Sequence, residues 1–184
     1  MANIKAKRTG TKVLTGEIRL SYCHLNEPYG MEGQEPKYSV SVIIDKKDTE
    51  TLKAINDSIA EAKEVGKGKW NGKIPPVLKT PLRDGDIERP DDDAYKGCYF
   101  LNASSKSKPG VVDKYVNPIL DPMEVYSGCY ARVTLNFYAF NAAGNKGIAC
   151  GLGNVQKLRD GDSLGGVTRA ENEFEAIEEE DFLG

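Results

Sequence analysis

Between residues 126 and 140 the chain settles into strict alternation. Ala131, Val133, Leu135, Phe137 and Ala139 fall on one side of an extended backbone; Tyr130, Arg132, Thr134, Asn136, Tyr138 and Phe140 fall on the other. A period of two over about ten residues marks a long β-strand with one side against a core. Turn-forming residues follow over 141–146, and 147–156 reads as the returning partner strand. The rest of the chain has to be built around that sheet.

Other elements follow from the same patterning. Ile18, Leu20 and Tyr22 alternate with Glu17, Arg19 and Ser21, which predicts a strand over 12–25. Pro28, Gly30, Gly33 and Pro36 predict a loop over 26–36. Tyr38, Val40, Val42 and Ile44 predict a second strand. Leu52, Ile55, Ile59 and Ala62 then recur at helical spacing behind Asp48, a suitable N-cap, and Gly66 and Gly68 stop the helix. Residues 66–96 are irregular, a third strand runs over about 97–105, and 109–123 form an ordered crossing. Five strands and one helix make a mainly β protein, a β-barrel with one helix, and they fit an elaborated OB-fold. Periodicity gives elements without their pairing, so another small α+β sheet fits as well. The expected organisation is a flexible basic arm over 1–11, an OB-fold-like domain over 12–156, and a linker with a disordered acidic C-terminal tail over 157–184.

Charge is distributed unevenly over the 184 residues. The formal net charge is -3, but seven of the 28 acids lie within residues 171–184, which hold no Lys or Arg. The body keeps 21 acids against 25 basic residues, about +4. A basic body with an acidic tail suggests a nucleic-acid-binding domain carrying an interaction segment. No apolar run approaches the ~18 residues of a membrane span, and the basic N-terminus lacks the apolar stretch of a signal peptide. A cytoplasmic location is expected. Cys23, Cys98, Cys129 and Cys150 lack CxxC spacing and read as reduced, buried thiols. His24 is the only histidine, so no zinc site is expected.

Four groups of residues could carry function. The outward side of the long strand offers Tyr130, Arg132, Asn136, Tyr138 and Phe140. Rings interleaved with a cation suit single-stranded nucleic acid, because every base has a π-face and every phosphate a charge. The alternative is that another layer covers this side. Around the third strand, Lys96, Tyr99, Lys106 and Lys108 stand among serines that suit phosphate oxygens. In the tail, Phe174 and Phe182 punctuate Glu178, Glu179, Glu180 and Asp181, as a partner-docking segment would. A fourth group, Asp84, Asp86, Glu88 and Asp91 to Asp93, would suit Mg²⁺ and a nuclease. It lies among prolines and glycines with no catalytic histidine or lysine pattern, so a solvated acidic loop is expected. No P-loop, nucleophile elbow or dinucleotide fingerprint is present, and no cofactor is expected.

The blocks 97–105 (GCYFLNASS), 109–113 (PGVVD), 126–133 (YSGCYARV) and 147–155 (GIACGLGNV) resemble a phage and prophage family of single-stranded-DNA-binding proteins with an OB-fold. The resemblance spans roughly residues 10–160. It implies a non-enzymatic protein that binds single-stranded DNA in phage replication or recombination, within the host cytoplasm. It also implies replication or recombination proteins as partners through the tail, and it leaves a homodimer open. The tail resembles those of replication single-strand binders, which end in acids and a terminal Phe; here Leu183 and Gly184 follow Phe182. Two alternatives stand beside this reading: a Mg²⁺-dependent nuclease using the 84–93 acids, and a module whose sheet binds protein.

Overall fold

The computed structural model describes residues 4–164 and 174–177. A short hairpin comes first, β1 (Lys7–Thr9) and β2 (Lys12–Leu14), turning through Gly10 at φ 63°. It occupies part of the segment expected as a loose arm. The strand expected over 12–25 is really two, broken at Thr15 and Gly16. The buried Thr15 hydroxyl donates to Gly16 O and accepts from Val133 N, which turns this corner with its polar groups satisfied. β3 (Ile18–Tyr29) and β4 (Lys37–Asp45) then form a long hairpin. β3 runs through part of the expected loop, because two register shifts against β4 let it bend rather than stop.

The helix α1 (Thr49–Val65) begins where its cap predicts: the Asp48 carboxylate accepts from Thr51 N at 3.1 Å. The Thr51 hydroxyl accepts from Gly16 N, which pins the helix start to the β2–β3 corner. At its other end Gly66 is needed for lack of space, since a Cβ there would come within 2.2 Å of the Ala139 Cβ. A two-residue strand, β5 (Arg83–Asp84), and a single helical turn, α2 (Gly85–Glu88), precede β6 (Cys98–Ser105). β7 (Val111–Val112) lies within the crossing, and β8 (Tyr130–Ala142) and β9 (Asn145–Arg159) form the predicted hairpin.

Five strands close into a barrel in the order β3, β4, β6, β9, β8 and back to β3. Every contact is antiparallel except β6 with β9, which run parallel and register at Ser104 against Gly151. Numbered 1 to 5 in chain order, these strands neighbour one another as 1-2-3-5-4-1, the closure of an OB barrel. The inward parity is the one the sequence gives: Val40, Val42, Ile44, Leu101, Ala103, Val133, Leu135 and Phe137 are buried in one core. Leu52, Ile55, Ile59 and Ala62 of α1 belong to the same core, and Trp70 joins it while donating from Nε1 to Phe140 O. Burying each large aliphatic side chain contributes about 1.5–3 kcal/mol.

A second, smaller cluster lies outside the barrel. Ile43 and Phe100 point outward from β4 and β6 and are covered by Tyr95, whose ring meets Phe100 edge-on at 5.0 Å. The Tyr95 and Ser41 hydroxyls are hydrogen-bonded at 3.1 Å. The irregular segment before β6 therefore covers one half of the outer β4–β6 surface and leaves the other half open.

Candidate nucleic-acid interface

The open half leads into a cleft of about 890 Å³ on the outside of the barrel. Its floor is β9, where the outward positions Gly151 and Gly153 carry no side chain. Its walls carry Lys7 and Lys12 from the β1–β2 hairpin, Lys37 from the start of β4 and Lys106 after β6. Lys7, Lys12 and Lys37 make no ion pair among the described residues, and Lys106 lies 3.7 Å from Glu35. Tyr138, 45% exposed, stands in the cleft beside Asn136, whose amide oxygen accepts from the Thr11 hydroxyl. Four cations, hydroxyls and a free ring around a floor without side chains can take a phosphate backbone and stack a base.

Of the residues the sequence singled out, the cleft holds Asn136, Tyr138 and Lys106. The others stand elsewhere, and the expectation that five residues of the long strand form one open surface is corrected. The Tyr130 ring lies between two guanidinium groups, Arg159 at 3.7 Å and Arg19 at 5.4 Å; Arg159 is itself paired with Glu17. Arg132 donates to Thr15 O at 3.0 Å and Lys5 O at 2.9 Å, tying down the N-terminal segment, and its partial burial lowers its pKa. Phe140 is half-buried against Gly147 at the far end of the hairpin. Tyr99 packs on the barrel core under the Lys46 ammonium, at 5.1 Å. Lys96 is exposed in the turn before β6, and Lys108 reaches Asn26 at 3.2 Å. Of the tail residues, Phe174 is exposed, whereas Glu178, Glu179, Glu180, Asp181 and Phe182 lie outside the described residues.

The sequence reading missed Lys7, Lys12 and Lys37. Lys37 was legible in principle, because it shares the outward parity of Ser39. Lys7 and Lys12 enter the cleft only because β2 pairs with β8, setting Lys12 opposite Asn136, and strands of three residues show no periodicity.

The acidic segment 84–93 is largely spent on local structure. Asp84 accepts from Asp86 N, and Asp92 accepts from Ala94 N. Asp86 accepts from Gly97 N and from Lys46; the backbone bond first and the ammonium second hold its carboxyl below the usual range. Among the described residues no cluster of His, Cys, Asp and Glu could hold a metal ion. His24 stacks on Tyr29. The four cysteines are free, and burial, with Cys129 nearby, pushes the Cys23 thiol up to about 12.

A closed OB barrel with a lysine-walled cleft, an exposed ring and an open floor defines a nucleic-acid-binding barrel. The relatives narrow the class. A family model described as Enterobacter phage Enc34, ssDNA-binding protein, matches residues 11–183, and the chain belongs to that family. The protein p50 of Acyrthosiphon pisum secondary endosymbiont phage 1 is 34% identical over 187 residues, covering 94% of this chain and 98% of that protein. The single-stranded DNA-binding protein of bacteriophage Enc34, solved in complex with ssDNA, superposes with a TM-score of 0.71 at 27% identity, over 89% of this chain and 99% of that one. Gp2.5, a single-stranded DNA binding protein encoded by bacteriophage T7, shares the fold with a TM-score of 0.60 at 14% identity, over 86% of this chain and 97% of that one. The Enc34 family and the Enc34 and T7 structures are of single-stranded-DNA-binding proteins, which are not enzymes.

Proposed function

We propose that this chain binds single-stranded DNA without sequence preference, in phage DNA replication or recombination in the host cytoplasm. The acidic tail competes with DNA for the barrel and recruits partner proteins. One observation carries the reading: the cleft that gathers Lys7, Lys12, Lys37 and Lys106 around Tyr138. The relative solved with ssDNA supports it. Lysines act on phosphates as point charges and a ring stacks on any base, so neither selects a sequence.

The test is a fluorescence-anisotropy titration of labelled oligo-dT and of duplex across a salt series. If each of the four lysines neutralises one phosphate, log K falls with log salt at a slope of about -2.8, at about 0.7 per phosphate. That is a loss of about 50-fold between about 50 and 200 mM salt. Duplex should bind more weakly than oligo-dT. A salt-independent affinity would remove the cleft as the binding surface. Absence of any oligonucleotide binding at low salt would favour the protein-interaction alternative.

A further inference from the structure

A line of residues sits side by side across the barrel: Lys12, Asn136, Gly151 and Ser104 line the cleft, and Ser39 and His24 continue the line beyond it. Strand register sets Lys12 opposite Asn136, Asn136 opposite Gly151, Gly151 opposite Ser104, Ser104 opposite Ser39, and Ser39 opposite His24. All six point outward, because their chain neighbours Val13, Leu135, Leu152, Ala103, Val40 and Leu25 are core residues. The line crosses β2, β8, β9, β6, β4 and β3; five inter-strand steps of about 4.8 Å carry it about 24 Å. Between its ends stand only an amide, a glycine and two serines. Tyr95 of the covering segment bonds Ser41 on the next outward row, and the segment meets the line at its β3 end, where Asp92 and Ala94 share a small pocket with His24.

At the β3 end the backbone departs from a regular strand. Between Ser21 and His24 the register slips, and Tyr22 takes φ 46°, a left-handed conformation unfavourable for a side chain of this size. Bulges of this kind re-aim side chains next to binding sites. Tyr22 is 52% exposed and lies under Arg89, which donates to its hydroxyl. A second slip between His24 and Tyr29 sets a step of five residues on β3 against a step of two on β4, and the two rings stack at 4.4 Å and 11°. Tyr29 remains 56% exposed and stands opposite Lys37, which lines the cleft. The stacked pair is thus continuous with the cleft through Lys37 and through the row.

We infer that a bound single strand follows this row, leaves the cleft past Ser39, and presents a base to the His24–Tyr29 stack at the far end. The inference rests on the single-strand reading and deepens it. The cleft supplies cations and the Tyr138 ring, the serines supply donors to phosphate oxygens, and the stacked pair supplies a second aromatic platform. A strand held at both platforms crosses the β6–β9 junction.

Two oligo-dT lengths test it: one of about 6 nucleotides, which the cleft can hold, and one of about 20, which can reach both platforms. His24→Ala and Tyr29→Ala should weaken the long oligonucleotide about tenfold and leave the short one unchanged, with Tyr29→Phe restoring the affinity. Unchanged affinity at both lengths overturns the path, and so does an equal loss at both. A second measurement needs no substitution: photocrosslinking a long oligonucleotide that carries 5-iododeoxyuridine should label the peptide containing residues 22–29. Labelling confined to the peptide containing Tyr138 overturns the path while keeping the cleft. No binding of either length by the unaltered chain overturns the single-strand reading itself.

Discussion

Arg132 and Tyr138 occupy the same side of one strand and should answer substitution in opposite ways. Arg132 is committed to two backbone carbonyls, so Arg132→Ala should lower stability by about 1–3 kcal/mol and change oligonucleotide affinity less than twofold. Tyr138 stands in the cleft, and Gly151 is the nearest thing to a floor beneath it. Tyr138→Ala should cost about 1–3 kcal/mol of binding and less than about 0.5 kcal/mol of stability. Urea unfolding beside an oligo-dT titration separates the two, and a Tyr138→Ala variant that binds as before would move the stacking surface elsewhere. The alternation of β8 revealed which side both residues take, because side is a property of the strand alone. It could not reveal that the N-terminal segment passes over Arg132, or that Arg19 and Arg159 enclose Tyr130, because those neighbours arrive from distant parts of the chain.

The two outward glycines of β9 differ in what surrounds them. A Cβ at Gly151 would meet Asn136 O at 3.4 Å and Tyr138 Cε1 at 3.7 Å, ordinary contacts. A Cβ at Gly153 would come within 2.2 Å of the Thr134 hydroxyl, which accepts from Asn154 N. Gly151→Glu should therefore fold normally and weaken DNA binding more than tenfold, since it sets a carboxylate among the lysines. Gly153→Ala should cost about 1–3 kcal/mol of stability. Melting curves and anisotropy on the pair check both, and a Gly151→Glu protein with full affinity would place DNA outside the cleft. At this scale the legible elements were those with a sustained period. α1 announces its stripe and its cap, and β8 its alternation. β3 was misread at its end because register slips at Tyr22 and before Tyr29 break the period of two. β1 and β2 were missed because three residues hold too little pattern to count.

For the whole molecule the governing quantity is the separation of charge, about +4 in the body against seven acids in the last fourteen residues. A tethered acidic segment has a high effective concentration near a basic cleft, and its reach shortens as salt rises. Deleting residues 171–184 should tighten binding to oligo-dT at low salt, by less at high salt, and abolish partner recruitment. A deletion that leaves low-salt affinity unchanged or weaker contradicts the competing tail. Closure of the barrel was the least legible level, since strand patterning is silent on which edges meet. The count of five strands and one helix fits an OB-fold and the family resemblance implies one, but only the ladder pairs fix the order in which the barrel closes. One of those pairs gives the barrel a seam. β6 and β9 run parallel and register at a single position among the described residues, Ser104 with Gly151, whereas β8 and β9 share a ladder twelve positions long. A polymer laid along the row from Lys12 to His24 would cross that seam at right angles, like a stitch, gripping strands on either side of it. The ligand would then complete, from outside, a stretch of wall that the protein itself joins at one ladder position.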